Sequence, residues 1–468
     1  MAQTILTAVA AVQPASADAL RGLLAALTAR QEATPQPGDQ AYDALRSAVP
    51  VLHFMSITLA SDAQYDPLLV IEANFDGPPA PFWALLEVAI GTELRQMLRL
   101  CKPPRDQHAA LFDAVVRPGS STALAPLLQC LSVRPAVQHQ GNRGLNRRRI
   151  IDDGKLFTAL QTEIDASPAL ATLPAAQIHQ HLRIALLPQF GWLASAAPAR
   201  IPRAERLADV LRAAAFVLGL LLAAALLGWA LAQATRVLLS SGAVLPHRPV
   251  WRWLFYLGLG LVGALPLLAW RLRKLERSDA SQDAPPQDAA ALRAMARGED
   301  FITQNHMLSI VHLKPGVLRM LLARTALRAL GLVLRVSATN GYLTSMRTIH
   351  FAHWAVLDNG GRLMFHSNYD GSWESYLDDF IEKAHVGLTL AWCHGVGFPP
   401  TRWLSQGGAT EGRKFKAWAR HSMSHSGFWF SAYKQYTVNQ IERQARLAAG
   451  LRQASLSAQD ATRWAIDL

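Results

Sequence analysis

The sequence predicts an α+β protein in which one β-α-β-β-α-β unit occurs twice, with a two-helix membrane hairpin inserted between the copies. The stretch HFAHWAVLDNGGRLMFHSNYDGSWESYLDDFIEKA at 350–384 has a degenerate copy, HFMSITLASDAQYDPLLVIEANFDGPPAPFWALL, at 53–86. Segments 213–235 and 253–270 contain no charged residue, and each is long enough to cross a hydrocarbon core of about 30 Å. The copies indicate an internal duplication, and the apolar segments indicate a membrane anchor.

The second copy predicts a β-hairpin that runs into a helix. Alternating apolar segments flank Asn359-Gly360, and Asn-Gly is the strongest short signal for a two-residue hairpin turn. With that turn, the register places His353 directly opposite His366. Apolar residues then recur at helical spacing from Trp373 to Ala384.

The first half, residues 1–200, is expected to contain the whole unit followed by a helical extension. Its predicted elements are a strand at 5–12, a helix after the N-cap Ser16, a hairpin at 52–75, a helix from about Pro79, a last strand at 96–101 and helices over 155–200.

The second half, residues 303–468, repeats this order. Its predicted elements are a strand at 307–313, a helix at 317–336, the hairpin, a strand at 388–393, a strand within GFWFSAYKQY and a helix opened by the capping box Thr437–Gln440. The helix at 317–336 carries Arg324, Arg328 and Arg335 near one face, so it either covers its sheet or lies on a membrane surface.

Residues 201–277 predict the transmembrane hairpin, and 278–302 predict a flexible linker rich in Ser, Asp, Gln and Pro. Tryptophans near the ends of the apolar segments favour membrane spans over two buried core helices. Basic residues are more numerous outside the hairpin than in its connecting loop. Such flanks stay in the cytoplasm. We therefore expect a protein of the bacterial inner membrane whose two termini both lie in the cytoplasm.

Composition excludes several classes of function. The net charge of +12 comes largely from the membrane flanks and from Arg143 and Arg147–Arg149, which favours anionic lipid head groups as partners over nucleic acid. The arginine run itself predicts a solvated helix start. Three cysteines without CxxC spacing indicate a reducing compartment. No P-loop, strand-associated GxGxxG or GxSxG motif is present.

The repeated β-α-β-β-α-β order resembles the ferredoxin-like fold of the dimeric α+β barrels, a superfamily that includes chlorite-dismutase-like proteins and dye-decolourising peroxidases. Those peroxidases carry a GxxDG motif whose Asp works beside a haem. The corresponding words here are 73–77 (ANFDG) and 367–371 (SNYDG), each without the first Gly. The resemblance implies two ferredoxin-like halves packed sheet to sheet, haem as cofactor, and a catalytic role for Asp370. As an Asp-Gly at a strand end, Asp370 is alternatively a turn or cap residue.

Candidate site residues follow from the faces of the hairpins. On the second hairpin, His353, His366 and Asn368 share one face, which corresponds to Ser56, Glu72 and Asn74 on the first. If these polar faces meet, they line a cavity. An opposed His pair can bind a metal or a haem, although hydrogen-bonded structural histidines are the alternative. We therefore predict that His353, His366 and Asp370 are catalytic residues. The predicted cofactor-binding residues are His353, His366, Asn368, His421 and His425.

Two functions of different classes remain open. One is a membrane-anchored, peroxidase-like oxidoreductase that faces the cytoplasm. The alternative is a non-catalytic module that binds a small molecule or a partner at the membrane surface. The sequence names neither a substrate nor a metal.

Overall fold

The computed structural model describes residues 3–32, 43–62, 64–239, 248–279, 289–299, 302–337 and 346–468. The protein is α+β, as predicted, with two antiparallel five-stranded sheets. Part of the predicted linker, residues 280–288, lies outside the described residues. The description of the halves as ferredoxin-like stays a prediction.

The first half begins with a strand, and helices separate most of its strands. Its elements are β1 (Gln3–Ala11), α1 (Ala17–Glu32), α2 (Asp43–Ala48), β2 (Leu52–Ala60), β3 (Leu68–Asp76), α3 (Pro79–Arg99), α4 (Ala109–Val116), α5 (Ala125–Cys130), β4 (Ser132–Val133), β5 (Val137–Gln140), α6 (Arg147–Ala166) and α7 (Ala175–Leu186).

Four helices follow in the described part of the chain. They are α8 (Arg203–Leu239), then α9 (Pro249–Leu259) and α10 (Leu265–Arg277), which a π-helical turn joins, and finally α11 (Ala289–Glu299) within the predicted linker. Two helices, Arg203–Ala234 and Pro249–Arg277, are long and apolar enough to cross a membrane. Only 6% and 12% of their most apolar windows are buried, so they are not buried core helices.

The second half repeats the order of the first. Its elements are β6 (Gln304–His312), α12 (Val317–Ser337), β7 (Ile349–Leu357), β8 (Arg362–Asp370), α13 (Trp373–Trp392), β9 (Thr401–Arg402), β10 (Gln406–Gly407), α14 (Gly412–His421), β11 (Met423–Ser424), β12 (Phe428–Ser431), α15 (Val438–Leu451) and α16 (Ala458–Ala465).

The two halves exchange one strand each. The first sheet has the order β12-β2-β3-β1-β4, and the second has the order β11-β6-β8-β7-β5. Thus β12 pairs with β2, with Phe428 opposite Ile57, and β5 pairs with β7, with Val137 opposite Trp354. Each sheet takes four strands from its own half and an edge strand from the other half, so the halves are interlocked.

The two halves resemble each other in local irregularities as well as in strand order. Both hairpins have a register shift at the same place, between Leu52 and Phe54 and between Ile349 and Phe351. The long helices α3 and α13 both contain one non-helical residue, Ile90 and Ala384, with φ of −140° in each. These residues follow the two Asp-Gly turns at the same spacing.

The prediction of strands at 96–101 and 388–393 is wrong. Helix α3 continues to Arg99 and α13 to Trp392, because the chain resumes helical geometry after each kink and the apolar residues then cover their own sheet. The fourth strand of each unit is instead the two-residue β4 or β11, which pairs with β1 or β6.

The apolar cores lie on the outer faces of the sheets. Under α13, the second core contains Ala352, Trp354, Leu363, Phe365 and Tyr369, the face that the alternation predicts to pack under helices. Helix α12 packs against α13, β5 and α8. It therefore covers its sheet, as one of the two predictions for it stated.

Buried ion pairs connect the apolar helices to the soluble body. At the start of α8, Asp209 accepts hydrogen bonds from Arg143 at 2.6 Å and from Arg335 of α12 at 3.0 Å. The prediction that the arginine run is solvated is wrong for Arg147, which is 4% exposed and donates to the carbonyl oxygens of Val49 and Arg46. The helix start is buried there because it packs against the first hairpin.

Candidate functional site: a polar layer between the sheets and a cavity at its edge

The inner faces of the two sheets meet, as the sequence predicted. The Thr7 hydroxyl lies 2.8 Å from Nε2 of His353, and the Asn368 side-chain amide donates to the Glu72 carboxyl at 3.4 Å. We call the polar side chains on these faces the inter-sheet polar layer; its members are Thr7, Ser56, Glu72, Asn74, His306, His353, His366 and Asn368. An apolar cluster continues the interface beside it.

The predicted register is confirmed: His353 lies directly opposite His366. Their ring centroids are 5.1 Å apart and the ring planes differ by 9°. The two residues are 1% and 2% exposed. Burial lowers the pKa of His353 to about 3 and holds the pKa of His366 well below its usual range. Both imidazoles are therefore neutral at physiological pH.

Glu72 is the acidic member of the layer. It accepts hydrogen bonds from the side chains of Asn74, Asn368 and, at 3.5 Å, Ser56. Burial raises the pKa of Glu72 to about 8, and the three hydrogen bonds only partly offset that rise. Glu72 is thus protonated at neutral pH and the layer carries no net charge, which is how a buried polar network avoids the cost of an unpaired ion.

The histidine pair does not fit a metal or a haem. Within the described ranges, no group of three His, Cys, Asp or Glu side chains could hold a metal ion. Nδ1 of His353 and Nε2 of His366 have no hydrogen-bond partner among the described residues, yet neither residue lines any of the cavities reported below. A haem needs a macrocycle-sized space beside its axial imidazole, and these rings face packed side chains.

Asp370 has a structural position that its counterpart repeats. It accepts from Nε2 of His350 at 2.7 Å and from the backbone N–H of Val438, at the start of α15, at 2.8 Å. In the first half, Asp76 lies 3.1 Å from Nε2 of His53 and accepts from the N–H of Arg147, at the start of α6. Each carboxylate therefore ties a hairpin to a helix N-terminus, where the helix dipole favours negative charge.

A cavity of about 580 Å³ opens at the edge of the second sheet, and we call it the edge cavity. Its inner wall contains His306 and Trp429, whose rings stack at 5.2 Å with planes 7° apart. The Trp429 indole N–H donates to the Asn368 side-chain oxygen at 3.0 Å. Because Asn368 also contacts Glu72, the edge cavity is connected to the inter-sheet polar layer by hydrogen bonds.

The predicted site residues lie in four separate places. His353, His366 and Asn368 belong to the polar layer, and His425 is an exposed residue of the edge cavity. His421 lines a different cavity of about 310 Å³, beside Arg362. Asp370 lies with His350 instead.

Three functional candidates were missed by the sequence reasoning. Glu72 was placed on the polar face but not proposed as a site residue, although a carboxyl group at such a position signals a shifted pKa. His306 lies opposite Asn368 on β6, so extending the predicted strand upstream would have found it. Trp429 had no signal, because its position depends on the strand exchange.

No protein-family model, curated protein or solved structure matches this chain. The assignment of function therefore rests on the geometry of the chain itself.

Proposed function

We propose that this protein is a membrane-anchored binding protein whose soluble body takes a small molecule in the edge cavity and does not convert it. The observation that carries the proposal is the preformed inner wall, in which Trp429 is fixed by stacking on His306 and by its hydrogen bond to Asn368. The volume of about 580 Å³ lies in the range of small-molecule sites.

The lining favours a ligand of mixed polarity. Met295, Ile302 and Met423 offer apolar contacts, whereas His306 and His425 offer hydrogen bonds. Burial, and to a lesser extent the neighbouring His425, lower the pKa of His306, so this imidazole contacts a ligand as a neutral group. A neutral, weakly basic imidazole is a poor general base at physiological pH, which favours binding over catalysis.

Helices α8 and α9–α10 are the proposed membrane anchor, with both termini in the cytoplasm as the basic flanks indicate. Their exposed leucine, valine and tryptophan side chains form apolar surface that a bilayer would cover. Protease added to right-side-out and to inverted inner-membrane vesicles tests the orientation. Cleavage of segment 281–288 is expected only in inverted vesicles, and cleavage only in right-side-out vesicles would reverse the topology.

Ligand retention tests the binding proposal. Small molecules released by denaturing the purified full chain would be quantified by mass spectrometry for the wild type, His425→Trp and His421→Trp. The first substitution fills the edge cavity, and the second places the same side chain at the other cavity. We expect His425→Trp alone to bind the molecule about tenfold more weakly, equivalent to about 1.4 kcal/mol, and so to retain less of it. Equal occupancy in all three proteins, or no retained molecule in the wild type, would contradict the proposal.

The oxidoreductase stays a prediction with its own test. Purified protein would be incubated with haem and its absorption spectrum recorded after gel filtration. A Soret band that persists in the wild type and disappears in His353→Ala would favour the oxidoreductase over the binding protein.

A further inference from the structure

A second concave site lies where α10 meets the β9–β10 hairpin, remote in sequence from the edge cavity. It has a volume of about 830 Å³, and its aromatic and basic lining residues are Trp270, Arg273, Lys274, Arg277, Arg402 and Trp403. We call it the basic interfacial pocket. It combines side chains from the end of the second apolar helix with a loop of the soluble body.

Glu276 holds the two parts of this pocket together. Its side chain is 1% exposed, and it accepts hydrogen bonds from the N–H groups of Trp403 and Leu404, at 3.1 and 2.9 Å, and from the Thr401 hydroxyl at 3.1 Å. Arg273 pairs with the same carboxylate. One buried carboxylate thus fixes the hairpin against the helix.

The loop backbone is strained where it meets Glu276. Trp403 and Leu404 both have φ of 58°, a conformation that costs a residue other than Gly about 1–3 kcal/mol. Two consecutive residues in this region persist only because the surrounding contacts hold them. Strained backbone of this kind is concentrated at functional sites.

The pocket has an excess of positive charge. Glu276 is matched by Arg273, whereas Lys274, Arg277 and Arg402 form no ion pair within the described part of the chain. Arg273 lies 5.4 Å from the ring centroid of Trp403, and Lys274 lies 5.7 Å from that of Trp270. These cation–π contacts orient the basic groups beside the two indoles.

The position of the pocket identifies the ligand. Leu265, Leu267 and Leu268, on the preceding turns of α10, are exposed by 39–60%. Trp side chains and basic groups at the end of an apolar helix belong at the membrane–water boundary, where lipid phosphates lie. We propose that the basic interfacial pocket binds the headgroup of an anionic phospholipid, with the acyl chains along α10. This site is independent of the ligand proposed for the edge cavity.

A lipid titration tests the proposal. The full chain, delipidated in neutral detergent, would be titrated with phosphatidylglycerol, phosphatidylcholine and inorganic phosphate, and bound lipid counted by native mass spectrometry. The variant Lys274→Gln/Arg277→Gln/Arg402→Gln removes three charges from the pocket. The matched control Arg134→Gln/Arg324→Gln/Arg328→Gln removes three exposed charges from a separate groove beside α12.

We expect the pocket variant to bind phosphatidylglycerol at least about tenfold more weakly, and the control to bind it like the wild type. Phosphatidylcholine should bind weakly to all three proteins. Equal losses in both variants would reveal general charge attraction and overturn the proposal. Displacement of phosphatidylglycerol by millimolar inorganic phosphate would show a simple anion site, which also overturns it.

Glu276→Gln separates a built pocket from a charged surface. The substitution raises the local positive charge but weakens the acceptor that holds the strained hairpin. Weaker binding of phosphatidylglycerol by a protein that is still folded is the expected result, with a modestly lower melting temperature because a buried acceptor is weakened. Stronger binding would mean that charge alone attracts the lipid, and the proposal would fail.

Discussion

His353 and His366 are neutral, nearly parallel imidazoles that lie opposite each other between the two sheets, and Nε2 of His353 is 2.8 Å from the hydroxyl of Thr7. The pair therefore joins neighbouring strands of one sheet and also contacts the other sheet. This arrangement gives the histidines a packing role that can be measured.

We predict that His353→Ala lowers the free energy of unfolding by about 2–4 kcal/mol, since it leaves a cavity and removes the partner of a buried hydroxyl. Thermal unfolding of the full chain in detergent measures this loss. The exposed His421→Ala is the control and should change stability by less than about 0.5 kcal/mol. A stable His353→Ala protein that loses a bound species would instead establish a site residue.

Glu72 should make stability depend on pH. Its pKa is about 8 in the folded chain against an ordinary value of 4.5, so between these values the folded chain holds a proton that the unfolded chain has released. The contribution of Glu72 to the free energy of unfolding is fully present below pH 4.5. It falls as the pH rises, by up to about 1.4 kcal/mol per pH unit, and is lost above pH 8.

Glu72→Gln should remove that dependence, because the amide stays neutral at every pH. The melting temperatures of the variant and the wild type would be measured at pH 5.5 and at pH 8.5. Raising the pH should lower the melting temperature of the wild type more than that of the variant. The exposed Glu374→Gln is the control. A difference that does not change with pH would show that Glu72 is already ionised in the folded protein.

Asp370→Ala and Asp76→Ala should both destabilise the protein, by about 1–3 kcal/mol each, because each leaves the N–H of a helix start without an acceptor. The loss should be larger for Asp370, which also accepts from the buried His350. Thermal unfolding measures both, with the exposed Asp113→Ala as control. An unchanged melting temperature for Asp370→Ala together with lost ligand binding would support a role of Asp370 in the site.

Two glycines set the distance between the apolar helices. A Cβ atom on Gly228 would overlap the Tyr256 carbonyl oxygen, and one on Gly260 would overlap that of Ala224. Small residues allow such close approach of helix backbones in membranes. Gly228→Leu should lower the melting temperature in detergent, whereas Gly219→Leu, which meets no atom within 4 Å, should not. Equal melting temperatures for the two variants would show that the close contact at Gly228 does not contribute to stability.

Local signals in the sequence predicted local structure well. The Asn359-Gly360 turn gave the register of His353 and His366, although the strands end one residue before and after the expected loop. The capping box at Thr437 also occurs in the structure. These features depend on a few adjacent residues, so the sequence alone contains the information.

Features that depend on distant parts of the chain were not predictable. The strands β5 and β12 have four residues each, too few to indicate which sheet they join. The edge cavity follows from that exchange, since the segment from Met423 to Trp429 forms one of its walls. The burial of Arg147 likewise depends on carbonyl groups about a hundred residues away in the chain.

The exchange of β5 and β12 also sets an order of assembly during synthesis. Strand β2 is buried along its whole length in the finished protein, but its partner Phe428–Ser431 leaves the ribosome only after both apolar helices have been made. Until then β2 has an open edge, and such edges pair readily with other chains. The first sheet is therefore begun early and closed last, and a nascent chain that stops before residue 428 carries both long apolar helices together with an aggregation-prone strand edge.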